Sequence, residues 1–176
     1  MKLYKLAATA LLIIMSAVTG TCFAIEIEDL NIGGICLDQP ISEVIANYGE
    51  PVEKVPDDSD GISYNFDCEG QIFNVYCIGN VVSVTVNSEG PLATKAGIKI
   101  GSTAEDVLKA YGTPAYDYAA TSPSSDGLAR TISYSLPTQK LDEKGQSVPF
   151  FADLTFGIDA NNTVIWMSFL EEIDIP

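Results

Sequence analysis

The chain has 176 residues, with 24 acidic and 9 basic side chains, a formal net charge of −15 and no histidine. A charge of this sign repels phosphate backbones and anionic lipid surfaces, which argues against nucleic-acid binding and polybasic membrane attachment. The lack of histidine removes the commonest general base and a common metal ligand. Ser-His-Asp sites, Cys-His sites and histidine-containing zinc sites are therefore excluded.

The first 24 residues have the pattern of a secretory signal peptide. Lys2 and Lys5 precede an apolar stretch, residues 6–18, that is too short to span a bilayer, which takes roughly 20 residues. We expect residues 1–24 to be removed, leaving an extracytoplasmic protein, secreted or periplasmic, with no transmembrane segment. Lipidation of Cys22 is the less favoured alternative because the residues before it match a lipoprotein signal poorly.

An internal similarity relates GICLDQPISEVIANYGEP, which starts at Gly34, to GIKIGSTAEDVLKAYGTP, which starts at Gly97. Both stretches are predicted to hold a helix because their apolar residues follow helical spacing. A glycine two residues before a proline ends each helix, at Gly49 and Gly112. The apolar positions are Ile41, Val44, Ile45 and Tyr48 in the first copy and Ala104, Val107, Leu108 and Tyr111 in the second.

After the first helix the pattern changes to alternation of apolar and polar residues, which predicts strands at 62–68, 71–78 and 81–86. Two-residue turns at Glu69-Gly70 and Gly79-Asn80 fix their register. This register places on one buried face the pairs Tyr64 with Val75, Phe66 with Phe73, Val84 with Val75, and Cys77 with both Ile62 and Val82.

The second half repeats the pattern, with strands predicted at 131–136, 152–158 and 164–169. Between the first two of these strands, residues 137–151 are rich in charged residues, Gly and Pro, and are predicted to form an inserted, mobile, exposed loop. In the last strand, the alternation predicts Ile165, Met167 and Phe169 inside and Trp166 outside.

The predicted fold class is α+β, with two tandem repeats, each a helix packed on one face of an antiparallel β-sheet. Residues 25–90 form the first repeat and residues 91–176 the second. The stretch Thr103-Ala104-Glu105-Asp106-Val107-Leu108, followed by Tyr111-Gly112-Thr113-Pro114, resembles the SmpA/OmlA (BamE-like) envelope family. Two such units in series resemble the two-repeat architecture of the β-lactamase inhibitory proteins. The resemblance implies a binding module, either an accessory factor in envelope assembly or an inhibitor of a secreted enzyme.

Three cysteines remain after signal-peptide removal: Cys36, Cys68 and Cys77. In an oxidising compartment we expect one disulfide and one free thiol. Cys68 and Cys77 lie roughly 20 Å apart along the predicted strand ladder, too far to bond, so Cys36 is predicted to pair with one of them. A metal site would need a fourth ligand that the sequence does not offer.

The outward side of the predicted sheet supplies the candidate partner-binding residues. An exposed Tyr and Trp among amides are typical of a recognition surface. The alternative is that residues 137–151 cover Trp166, with Phe150 and Phe151 completing a small second core. The candidate residues are Tyr76, Trp166, Asn74, Asn65 and Ile72, with Asp67 beside them.

No pattern in the chain indicates catalysis, a cofactor or a metal. The acidic turn 57–61 does not fit a calcium-binding loop because Pro56 stands where the first carboxylate is needed. We therefore predict an exported, non-enzymatic protein-binding module whose protein partner is basic or is itself a secreted or envelope protein, with no nucleic-acid partner. The alternative function is a carboxylate-dependent hydrolase acting on extracellular or envelope polymers.

Overall fold

The structure, a computed structural model, describes residues 25–58, 60–122, 124–141 and 146–172. The predicted signal peptide and Cys22 lie outside these ranges. Within them, no helix is long and apolar enough to cross a membrane.

Most of the described chain is β-strand. A 3₁₀ turn at Ile27–Asp29 opens it, and two helices of eight residues each interrupt the strands. In chain order the elements after that turn are β1 (Asn31–Ile32), β2 (Ile35–Cys36), α1 (Ile41–Tyr48), β3 (Glu53–Pro56), β4 (Ile62–Cys68), β5 (Gln71–Ile78), β6 (Asn80–Val86), α2 (Ala104–Tyr111), β7 (Tyr116–Ala119), β8 (Leu128–Leu141), β9 (Ser147–Asp159) and β10 (Val164–Glu172).

Eight of the strands form one antiparallel sheet in the order β3-β4-β5-β6-β10-β9-β8-β7. Its centre is the pairing of β6 with β10, where Val86 lies opposite Met167 and Val84 opposite Phe169. The remaining two strands, β1 and β2, form a small separate ribbon.

The predicted fold class, two tandem helix-on-sheet repeats, is wrong. The described chain contains a single eight-stranded sheet and two short helices. In two separate units, β6 and β10 would each present a row of unpaired backbone N–H and C=O groups. The backbone groups of β6 and β10 form hydrogen bonds with each other instead. This pairing merges both halves into one sheet with one continuous hydrophobic core.

Both helices cover the same face of this sheet. Tyr48 of α1 packs on Phe73, with ring centroids 5.0 Å apart. Tyr111 of α2 packs on Tyr134 and Phe156 at 5.4 Å and 5.7 Å. The core therefore lies between the helices and this face, and the opposite face is left for other contacts.

The predicted register of the first strands is confirmed for β4 and β5, where Tyr64 pairs with Val75 and Phe66 with Phe73. Between β5 and β6 one pairing is wrong. Cys77 lies opposite Val81, and not Val82, because an irregularity follows Tyr76.

The inward position predicted for Ile165 is also wrong. A bulge between Val164 and Trp166 adds one residue to β10, so Val164 takes the buried position and Ile165 is half-buried. Met167 and Phe169 are buried as predicted. A bulge shifts the alternation of side chains by one residue, which a strict period of two cannot reproduce.

Most of the segment predicted to be an inserted loop at 137–151 is strand. β8 continues to Leu141 and β9 begins at Ser147, with Pro137 opposite Phe151 and Thr138 opposite Phe150. Residues 142–145 lie outside the described ranges. Phe150 is buried, and this burial supports the extended pairing.

Cys36, Cys68 and Cys77 are free thiols in the described chain, so the predicted disulfide is not formed. Cys36 Sγ accepts a hydrogen bond of 3.0 Å from Asn31 Nδ2 across the β1–β2 ribbon. Cys68 ends β4, and Cys77 is buried in the core opposite Ile62, at the other end of that strand. The predicted separation of Cys68 from Cys77 therefore agrees with the register.

Candidate protein-binding surface

The side of the eight-stranded sheet that faces away from α1 and α2 is called here the open face. A row of mostly small polar residues crosses it from one edge to the other. Asn65 Nδ2 donates to Glu53 Oε2 at 2.8 Å, and Asn74 Nδ2 donates to Asn65 Oδ1 at 2.9 Å. In strand order the row is Glu53, Asn65, Asn74, Thr85, Ser168, Thr155, Ser133 and Tyr116.

Two further rows flank the polar row, one on each side. They contain large aromatic or aliphatic residues among small or polar ones. One row consists of Val55, Ser63, Tyr76, Ser83, Leu170, Asp153 and Ser135. The other contains Trp166, Gly157, Thr131 and Tyr118 on β10, β9, β8 and β7.

Exposed apolar surface is concentrated on the open face. The described chain has nine exposed large hydrophobic side chains, and seven of them lie there. Isolated exposed apolar residues are normal, but a cluster on one face indicates a surface for a partner. The seven are Val55, Ile72, Ile78, Tyr116, Tyr118, Phe151 and Leu170, with Tyr116 and Tyr118 the most exposed at 67% and 65%.

The charged side chains at the described strand positions of the open face are all acidic. Glu53, Asp67 and Asp153 lie on it, and the described strand positions that face outward include no Lys or Arg. Lys54 lies on the helix side, with Nζ 5.2 Å from the centroid of the Tyr64 ring. Arg130 forms an ion pair of 2.7 Å with Asp117. The open face therefore presents an acidic surface.

All five predicted binding residues lie on the open face. Asn65 and Asn74 are in direct contact, and Ile72 lies next to Asp67 on the neighbouring strand. Tyr76 and Trp166 stand on opposite sides of the polar row, separated by roughly 10 Å across the strands and 13 Å along them. The two aromatic residues mark two parts of a broad surface.

The side chain of Tyr76 is held in place by two features of the β3–β4 turn. Its hydroxyl donates to Asp57 Oδ2, and this hydrogen bond raises the pKa of Tyr76 above its usual value. Its ring also covers Gly61, where a Cβ atom would collide with it. The ring is therefore positioned before any partner arrives.

Trp166 is positioned in the same way by a glycine on the neighbouring strand. It lies opposite Gly157, and its indole occupies the space that a Cβ atom of Gly157 would fill. Phe151 lies six residues from Gly157 along β9, roughly 20 Å away, and Phe150 points into the core. The alternative in which these phenylalanines cover Trp166 does not fit this register.

Sequence reasoning missed three residues of this surface. Tyr116 and Tyr118 belong to β7, and the alternation in Tyr116-Asp117-Tyr118 directly after Pro114 is the signal that indicates this strand. Asp153 carries a buried carboxylate oxygen, Oδ1, that makes no hydrogen bond to any described residue. No sequence pattern marks that property, because it depends on packing.

Among the residues that the structure describes, no group of three or more Cys, Asp or Glu side chains could hold a metal ion.

No protein-family model and no curated protein matches the chain. The solved structures that resemble it include two with 15% sequence identity each. A DUF4309 family protein, YjgB, from Bacillus subtilis has a TM-score of 0.45, over 79% of this chain and 83% of that one. A cysteine-rich secretory protein from Staphylococcus aureus has a TM-score of 0.48, over 76% of this chain but only 42% of that one.

The predicted resemblance to the SmpA/OmlA (BamE-like) family and to the β-lactamase inhibitory proteins is wrong. The described chain is one eight-stranded sheet with two short helices, and it does not divide into two helix-on-sheet units. The resemblance was suggested by a shared sequence motif, a short helix ended by Tyr-Gly-x-Pro. This motif reflects helix capping and termination, which occur in many folds.

Proposed function

We propose that this chain is an exported, non-enzymatic protein-binding module that holds a protein partner on its open face. The observation that supports this proposal is the composition of that face. A polar row crosses all eight strands, exposed aromatic and aliphatic residues flank it, and both described helices pack on the other face of the sheet.

The dimensions of the open face suit a protein partner. Eight strands give a width of about 34 Å, and a seven-residue strand such as β4 gives a height of about 23 Å. The product approaches the roughly 800 Å² that each partner contributes to a standard interface.

Positioned aromatic side chains support the same proposal. Tyr and Trp are enriched among the residues that dominate binding energy at interfaces. Tyr76 and Trp166 are held over Gly61 and Gly157, so a partner would not need to order them on binding.

Export is the part of the proposal that rests on the sequence of residues 1–24. Lys2 and Lys5 followed by a short apolar segment support cleavage and release outside the cytoplasm. Expression of the full chain in its own host, followed by mass measurement of the extracytoplasmic product, should give a chain that begins at Ile25.

The binding test compares residues 25–176 with the double variant Tyr76→Ala/Trp166→Ala as baits for extracytoplasmic proteins identified by mass spectrometry. The matched control is Ile27→Ala, which removes an exposed apolar side chain outside the sheet. We expect one partner to be captured by the wild type and the control and lost with the double variant, while all three melt cooperatively. Equal capture by the double variant would overturn the proposal.

A further inference from the structure

We infer that the partner is a cationic protein segment, and that Asp153 on the open face binds one of its Arg or Lys side chains. This inference rests on the proposed function and gives it a partner chemistry. It is carried by an unsatisfied carboxylate oxygen, by the apolar residues beside it and by the charge of the surface around it.

The carboxylate of Asp153 lacks a donor. Asp153 lies in β9 between Leu170 of β10 and Ser135 of β8, well inside the sheet. Its Oδ1 atom is buried and makes no hydrogen bond within the described part of the chain. A desolvated carboxylate oxygen without a donor is unfavourable, and a guanidinium or ammonium group supplies the strongest kind of donor for it.

The residues beside Asp153 suit the stem of a basic side chain. Leu170 and Phe151 are 41% and 48% exposed on the same face. Arg and Lys place their methylene groups on apolar surface while the charged end reaches a polar partner. Leu170 and Phe151 can therefore hold the stem while Asp153 binds the charged group.

Within the part of the chain that the structure describes, no basic side chain forms an ion pair with Asp153. Lys54 lies on the helix side of the sheet, and Arg130 is engaged by Asp117 through two hydrogen bonds of 2.7 Å. The outward positions of the described strands carry Glu53, Asp67 and Asp153 without a basic residue among them. This arrangement attracts a cationic surface from a distance and disfavours an acidic one.

A second set of acidic residues extends the negative electrostatic potential to the edge of the open face. Asp57, Asp58 and Asp60 follow β3, and Asp57 is bound to Tyr76. A cationic segment that crosses the sheet from Tyr76 to Asp153 stays within one row of the face, because Tyr76, Ser83, Leu170 and Asp153 are successive neighbours. The row fits an extended segment with basic residues at both ends.

The test uses an eight-residue arginine peptide with blocked termini, added to residues 25–176 at 0.15 M salt, with calorimetry to give Kd. The chain contains a single tryptophan, Trp166, which lies on the open face, so its fluorescence reports whether the peptide binds there. The matched negative probe is an eight-residue glutamate peptide, which should not bind.

The decisive variant is Asp153→Asn, which keeps the shape of the side chain and removes its charge. Its matched control is Glu43→Gln, which removes the same charge from helix α1 on the other side of the sheet. We expect Asp153→Asn to raise Kd at least 10-fold and Glu43→Gln less than 2-fold, with Asp153→Glu intermediate. Equal effects of the two charge removals would show general electrostatic attraction and overturn the inference, as would no binding by the wild type.

This test can fail independently of the proposed function. If the bait experiment captures a partner that is lost with Tyr76→Ala/Trp166→Ala while the arginine peptide does not bind, the binding module stands and the cationic partner is wrong. If the peptide binds through Asp153 and no protein partner is captured, the site for a basic side chain at Asp153 stands and the proposed protein-binding function is overturned.

Discussion

Two buried titratable side chains, Cys77 and Tyr134, should make the stability of the protein depend on pH in the alkaline range. Burial raises the pKa of the Cys77 thiol from 9.0 to about 11 and that of the Tyr134 phenol from 10.0 to about 12. Both side chains are almost fully buried, and the Tyr134 hydroxyl donates to the Gly112 carbonyl at 3.1 Å. In the folded protein both groups therefore keep their protons at pH values where the unfolded chain loses them.

The contribution of these two groups to the free energy of unfolding should accordingly be constant below about pH 9 and fall as the pH rises toward 12, first through Cys77 and then through Tyr134. Tyr134→Phe should remove the later part of this decline, at a cost of about 1 kcal/mol at neutral pH for the lost hydrogen bond. Urea unfolding between pH 8 and pH 12 measures both effects. An unchanged decline in Tyr134→Phe would contradict the assignment.

Gly157 controls the position of Trp166, since its missing side chain leaves room for the indole. Gly157→Ala should displace the indole, shift its emission to longer wavelength and lower stability by about 1 to 3 kcal/mol, the usual range for overpacking. The control is the same change in a Trp166→Ala background, where it should be nearly neutral. A loss of equal size in both backgrounds would place the strain elsewhere.

At the scale of elements, the two helices begin differently although their sequences are similar. Thr103 caps α2, with Asp106 N donating to its Oγ1 at 3.2 Å and Thr103 N donating back to Asp106 Oδ2 at 3.0 Å. Helix α1 begins after Pro40, which makes no such side-chain bond. The stability of α2 thus depends on its cap more than that of α1 does.

Thr103→Ala should destabilise the protein by about 1 kcal/mol, whereas Pro40→Ala should change stability by less. Hydrogen bonds from the backbone and side chain of Thr103 hold the pKa of Asp106 below its usual value. The effect of Thr103→Ala should therefore shrink as the pH falls through that pKa. Thermal unfolding at pH 7 and at low pH tests both statements, and an equal loss at the two pH values would exclude the reciprocal cap.

Elements specified by local pattern could be predicted from the sequence. Helices α1 and α2, strands β4 and β5 and the turn at Gly70 depend on side-chain spacing and on glycine within a few residues. Strands β3 and β7 have only four residues each, too few for a period to be recognised, and the bulge at Ile165 changes the period within a strand. The paired ends of β8 and β9, residues 137–141 and 147–151, contain charged residues and prolines. They are strand because they pair with each other, and the local sequence pattern does not indicate that pairing.

At the scale of the whole molecule, we expect the pairing of β6 with β10 to make both halves of the sheet unfold as one cooperative unit. Phe169 is fully buried between Val84 of β6 and Leu154 of β9, so it touches strands from both halves of the sheet. Removing it affects both halves at once.

Phe169→Ala should lower the free energy of unfolding by about 3 to 5 kcal/mol. Trp166 fluorescence, which reports the second half, and far-ultraviolet circular dichroism, which reports all strands, should still give one coincident transition. A Tyr134→Leu variant serves as a core control confined to the second half. Two separated transitions in Phe169→Ala would show that the halves fold independently.

The joined sheet is the part of the fold that could not be predicted from the sequence. The pairing of Val86 with Met167 connects residues that are far apart in the chain. The sequence of neither strand indicates which strand it pairs with. The outward positions of Asn65, Asn74, Tyr76 and Trp166 followed from alternation alone. Their union in one surface, and the unsatisfied oxygen of Asp153, required the central pairing and the packing that it creates.

The last described strand, β10, lies in the middle of the sheet, and this has a consequence for synthesis. When the chain emerges amino-terminus first, β6 appears long before β10, so the inner edge of the first half has no partner strand until β10 appears. β9 lacks one of its two neighbouring strands for the same period. The sheet can therefore be completed only when β10 is free to pair with both.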